Sequence, residues 1–137
     1  MKKEEALWIF GEEVGESSLM DWIRAHTSFL KPLHRYEGFI EVRDEEISLE
    51  GNSTKDEGEF SLKIPRNKIL YINHGYDDVF RRSLERSLGA GLAPLLIEYK
   101  VDDSSRKLYF FINFSRVPRT SDNDDWFHNL VDWVDKE

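Results

Sequence analysis

A chain of 137 residues with 39% hydrophobic side chains is long enough to close one core. Its 19 basic and 27 acidic residues leave a formal charge of −8, a sign that repels phosphate polyanions and disfavours both nucleic acid over a large surface and anionic membrane surfaces. The absence of cysteine removes disulfides, thiolate zinc sites and cysteine nucleophiles.

The first apolar run, Ala6 to Phe10, is too short for a signal segment or a membrane span, so a cytoplasmic location is the expectation. It reads as a short buried strand or as the start of a helix. Gly11 and Gly15 then punctuate an acidic turn. Ser17-Ser18 offers a cap to a helix from Leu19 to Leu30, where Leu19, Trp22 or Ile23, His26 and Leu30 recur at helical spacing before Pro32 stops it.

From Arg35 the period changes to two. Tyr36, Phe39-Ile40 and Val42 predict a strand, Arg43-Asp44-Glu45-Glu46 a tight polar turn, and Ile47, Leu49 and Gly51 the returning strand. A polar loop follows from Asn52 to Gly58. Phe60, Leu62 and Ile64 then alternate with Ser61 and Lys63, the signature of a half-buried strand, and Pro65 ends it. Ile69 to Ile72 predicts the next strand.

Residues 77–93 interrupt this rhythm, with Asp77 or Asp78 placed to cap a helix through Phe80, Leu84 and Leu88 and Gly89-Ala90-Gly91 placed to end it. Leu95 to Tyr99 is a strand, Asp102 to Arg106 a polar hairpin loop, and Leu108 to Phe114 a strongly β-prone run. Asp122-Asn123-Asp124 supplies cap oxygens to a last helix, Asp125 to Val134. Its expected apolar face is Trp126, Phe127, Leu130, Val131 and Val134, with Trp133 at the edge and open to solvent. Neither a repeat nor a linker divides residues 1–137, so a single α+β domain is expected.

Consecutive hairpins followed by one amphipathic helix form an order that resembles the pleckstrin-homology superfold, in its bacterial and GRAM-like versions. The local echoes are the strand pair from Gly38 to Gly51, the phrase Phe60-Ser61-Leu62-Lys63-Ile64-Pro65 with Lys68-Ile69, and Trp126 on the last helix. The resemblance implies a half-open barrel of about seven antiparallel strands, in two nearly orthogonal sheets, with the terminal helix plugging one mouth. It covers residues 36–135 and leaves 1–35 as an N-terminal helical extension, apolar enough to pack on the barrel or on a second copy in a homo-oligomer.

Candidate sites are few. His26, His34, His74 and His128 are scattered without metal-ligand spacing. The nearest approach to a trio, His74 with Asp77 and Asp78, reads better as a loop and a helix cap, so neither a metal nor a cofactor is expected. Serines cluster in turns and no Gly-x-Ser-x-Gly elbow occurs. Acidic pairs sit in turns and caps, which argues against acid–base catalysis and leans against an enzyme. Lys63, Arg66 and Lys68 flank a strand junction, and Arg81, Arg82 and Arg86 share one stretch; together they are candidates for holding an anionic headgroup or phosphopeptide. Members of the resembled family that bind phosphoinositides carry basic residues on the first hairpin, whereas Arg43-Asp44-Glu45-Glu46 is net negative. Trp133 is a candidate partner contact. The favoured expectation is a non-catalytic module binding a protein or peptide, by adding a strand to a sheet edge or by a groove beside the last helix. An anionic-lipid module and a small enzyme with a site assembled from distant residues are the alternatives.

Overall fold

The structure, a computed structural model, describes residues 3–16, 32–80, 93–116 and 119–135. Seven antiparallel strands form one continuous, curled sheet that makes a half-barrel. In chain order these are β1 (Glu4–Phe10), β2 (Tyr36–Val42), β3 (Glu46–Ser53), β4 (Glu59–Pro65), β5 (Ile69–His74), β6 (Leu95–Val101) and β7 (Ser104–Ile112). Their spatial order is β4-β3-β2-β1-β7-β6-β5, so β4 and β5 are the outermost strands. A short helix α1 (Gly11–Glu16) follows β1, and a small ribbon pairs β8 (Ser115–Arg116) with β9 (Arg119–Thr120). The chain closes with α2 (Asn123–Asp135), which packs on the inner face of the sheet. The expected helix at 19–30 and most of the 77–93 excursion lie outside the described residues.

The run Ala6 to Phe10 is the centre of the sheet, not part of an extension. β1 pairs with β2 on one side and β7 on the other. Its consecutive apolar residues are explained by burial on both faces: Ala6, Trp8 and Phe10 enter the main core, while Leu7 and Ile9 enter a second cluster on the outer face. The barrel therefore begins at Glu4, and a boundary at residue 35 would cut through it.

The main core lies between the inner face and α2. Ile40, Val42, Ile47, Leu49, Ile64, Leu95, Ile97, Leu108 and Phe110 meet Trp126, Leu130 and Trp133 there. The buried stripe of α2 is thus Asn123, Trp126, Leu130 and Trp133. The expected face was rotated: Phe127, Val131 and Val134 are only partly buried, and Trp133, expected at the exposed edge, is 9% exposed. The i, i+4, i+7 spacing of Trp126, Leu130 and Trp133 fits a single helical stripe. The outer-face cluster is smaller: Leu96, Tyr109 and Phe111 lie under Val14, Leu33 and Phe80.

Other expectations shift for local reasons. The acidic segment after Phe10 is the helix α1, not an open turn. Glu13 reaches back to accept the Phe10 backbone N–H at 3.0 Å, as the second half of a capping box does, and also accepts the Tyr36 hydroxyl at 2.7 Å. Burial, then that bond, pushes the Tyr36 hydroxyl above the usual phenol range. The stretch expected as a loop from Asp102 to Arg106 is mostly strand. Val101 pairs with Ser104, so only Asp102-Asp103 turn, with Asp102 at φ 53° in the left-handed region that Asp tolerates.

The curl needs two glycines. Gly38 and Gly51 face one another between β2 and β3. A Cβ on Gly38 would lie 2.0 Å from the Glu50 carbonyl oxygen and 2.5 Å from the Gly51 Cα, and one on Gly51 would lie 2.2 Å from the Glu37 carbonyl oxygen. Only residues without a side chain allow the two backbones to come this close.

Candidate functional site

The β5 edge and the groove beside α2 form the concave surface nearest the sequence expectation. β5 pairs with β6 through a register shift between Ile69 and Tyr71. Such a bulge leaves one residue without a counterpart and re-aims its neighbours. Here Leu70 and Tyr71 both face solvent, 58% and 52% exposed, while Ile69 and Ile72 pack against the main core. A groove of about 200 Å³ runs between β5, from Ile69 to Ile72, and the side of α2 that carries Val131, Val134 and Asp135. Because Val131 and Val134 are pushed aside by the true buried stripe, they become the wall of this groove.

Both ends of α2 are held down, which fixes the groove's width. At its start Asn123 is fully buried. Its Oδ1 accepts the Ile112 N–H at 2.9 Å, and its Nδ2 donates to the Phe110 and Ala93 carbonyls, each at 2.9 Å. Nearby, Glu4 Oε2 accepts from the Trp126 indole at 2.8 Å and from Asn113 Nδ2 at 2.6 Å. At the far end the Trp133 indole donates to the Asp44 carbonyl at 3.3 Å, and Arg66 donates to the Trp133 carbonyl at 3.2 Å. The sequence marks Asn123 as one of three cap residues. Its role as a bridge between helix and sheet follows from the return of β7 beside the helix start, which local spacing does not encode.

The basic candidates separate. Arg66 is half-buried and joins the clasp just described, with Glu45 Oε2 3.5 Å from its Nε. Lys63, on the outer face of β4, and Lys68, in the single 3-10 turn Arg66–Lys68, are exposed. Arg81, Arg82 and Arg86 lie outside the described residues. Arg43, the one basic residue of the first hairpin turn, is paired with Glu41 at 3.0 Å.

The trio of His74, Asp77 and Asp78 is divided. Asp77 Oδ1 accepts the Val79 and Phe80 N–H groups at 2.9 and 2.7 Å, as a cap does, and its Oδ2 accepts the Tyr109 hydroxyl at 2.7 Å. His74 turns instead toward Asp124 at the start of α2, 3.5 Å away, and His128 stands 3.6 Å from the same oxygen. Among the described residues no group of three or more His, Asp or Glu is arranged to hold a metal ion, and no helix is long and apolar enough to cross a membrane.

No protein-family model matches the chain and no curated protein matches it, so its fold and its surface carry the functional reading.

Proposed function

We propose that the chain is a non-catalytic interaction module of the pleckstrin-homology-like class that takes an extended peptide as an added strand on β5. The observation that carries this reading is the pair of exposed side chains Leu70 and Tyr71 on an outermost strand that borders an apolar groove. A peptide on that edge would gain main-chain hydrogen bonds from β5 and bury alternate side chains against Val131 and Val134. Tyr71 supplies a large amphipathic contact of the kind that dominates binding energy. The groove walls are aliphatic, so they offer burial and shape, with Asp135 as the one charge at their end.

The test begins with selection from a random peptide library displayed on phage, using the full chain as bait. A selected peptide is then titrated calorimetrically. Tyr71→Asp is expected to weaken binding by about tenfold or more, with little change in melting temperature, while Lys63→Ser and Lys68→Ser leave it unchanged. Binding insensitive to Tyr71→Asp and Leu70→Asp would overturn the reading. Sedimentation with phosphatidylserine vesicles, lost on neutralising Arg81, Arg82 and Arg86 and weakened by salt, would replace it with headgroup recognition.

A further inference from the structure

A second and larger groove lies on the outer face of the sheet, away from α2 and β5. Its volume is about 430 Å³. The Gly38 and Gly51 backbones and Ala6 form its floor, and Phe39 and Phe111 are among its apolar walls. The floor is main chain, where the Gly38 and Gly51 backbones come too close for a Cβ on either. Glu5, Glu37 and Asn52 contribute the polar lining, and neither lysine nor arginine lines it.

Two observations define the chemistry of an occupant. Phe39 is 43% exposed in a sheet that buries most of its aromatic residues, and the Lys3 ammonium stands 5.3 Å from the centre of its ring. The chain thus already places a cation on this ring, at the distance of a cation–π contact. The charge also continues past the groove. A neighbouring recess beside Phe39 is lined by Glu41 and Glu50 together with Lys3 and Arg43. Four carboxylates (Glu5, Glu37, Glu41, Glu50) against two cations (Lys3, Arg43) leave this strip net negative.

We infer that this outer-face groove receives a lysine or arginine side chain from a basic, partly apolar segment of a partner protein. The aliphatic stem lies along the exposed Phe39 ring, and the charged head meets Glu5 and Glu37. An acidic strip longer than the groove favours a segment with more than one basic residue over a lone small cation. Lys3 is then an internal competitor that the incoming side chain displaces. The inference stands apart from the β5 reading, since the two surfaces share no residue.

The experiment is titration of the ¹⁵N-labelled chain with a synthetic tetrapeptide alternating leucine and arginine, blocked at both ends, and with its leucine–glutamate counterpart. The arginine peptide is expected to shift the amides of Ala6, Gly38, Phe39, Gly51 and Asn52, and to weaken as salt rises. Glu5→Gln and Phe39→Ala are each expected to reduce affinity by about threefold to fivefold, whereas Lys3→Ser raises it. Tyr71→Asp leaves it unchanged, which separates failure here from failure of the β5 reading. Shifts spread equally over the Asp102-Asp103 turn and the start of α2 would overturn the inference as unspecific charge attraction. So would equal binding of the glutamate peptide, or absence of any shift in the groove.

Discussion

The two outermost strands of the sheet are treated in opposite ways. On β4 the exposed positions are Glu59, Ser61, Lys63 and Pro65. Charge, a hydroxyl and a proline that cannot donate to a ladder are the devices that keep an edge from recruiting another chain. On β5 the exposed positions are Leu70 and Tyr71, with a groove beside them. A bulge is often a further guard, because it twists an edge away from partners. Here it does the reverse and brings two large apolar side chains to the surface. One edge carries these guards and the other exposes apolar side chains within the same sheet, which is why β5 is the edge proposed for a partner.

The largest expected effect removes the comparison altogether. Gly38→Ala would place a methyl 2.0 Å from the Glu50 carbonyl oxygen, and backbone, not a flexible side chain, would have to give way. The cost should reach about 3 kcal/mol or more in chemical denaturation, with both edges lost together; a loss under about 1 kcal/mol would mean that the curl does not depend on the glycine pair. A smaller and more selective effect is expected of Asn123→Ala. It orphans the Ile112 N–H and the Phe110 and Ala93 carbonyls, at about 1–3 kcal/mol. Hydrogen exchange should then quicken in α2 and β5 and stay near the wild-type rate in the β3–β4 hairpin. Equal acceleration in both places would show that α2 supports the whole sheet and not the β5 edge in particular.

Much of this arrangement was legible in the sequence, and the parts that were not share a cause. Period-two alternation gave β2, β3 and β4, because their core-facing residues recur at every second position, although on β3 the intervening Ser48 is buried as well. β1 lacks alternation because it is buried on both faces, and a short continuous apolar run does not separate strand from helix. The rotation of α2 has a similar origin. Phe127, Val131 and Val134 are as apolar as the buried stripe, and only the position of the sheet decides which side is covered. Trp133 was expected at an open edge and is buried instead, because its partners, the Asp44 carbonyl and Arg66, come from a turn some ninety residues earlier and from the β4–β5 junction. Neither groove had a local signature. The bulge at Leu70 depends on pairing with β6, and the outer-face groove is lined by residues of β1, β2, β3 and β7 that only strand pairing brings together.

The smallest change in stability belongs to the test that bears most directly on the two edges. Lys63→Val removes the guard from β4, and Tyr71→Lys places one on β5. Both side chains are exposed, so each substitution should move the folding free energy by no more than about 0.5 kcal/mol. Their effects on association should nonetheless have opposite signs. Valine on the outer face of β4 replaces the charge of that edge with an apolar, β-branched side chain, and light scattering should show more concentration-dependent self-association than in the parent chain. Lysine at position 71 puts a charge where a docking strand would bury its side chains, and should abolish binding of any peptide selected on the parent. If Lys63→Val associates no more than the parent, β4 is protected by its geometry and not by its charge. If Tyr71→Lys still binds selected peptides, the exposure of Leu70 and Tyr71 is incidental, and the difference between the edges carries no functional meaning.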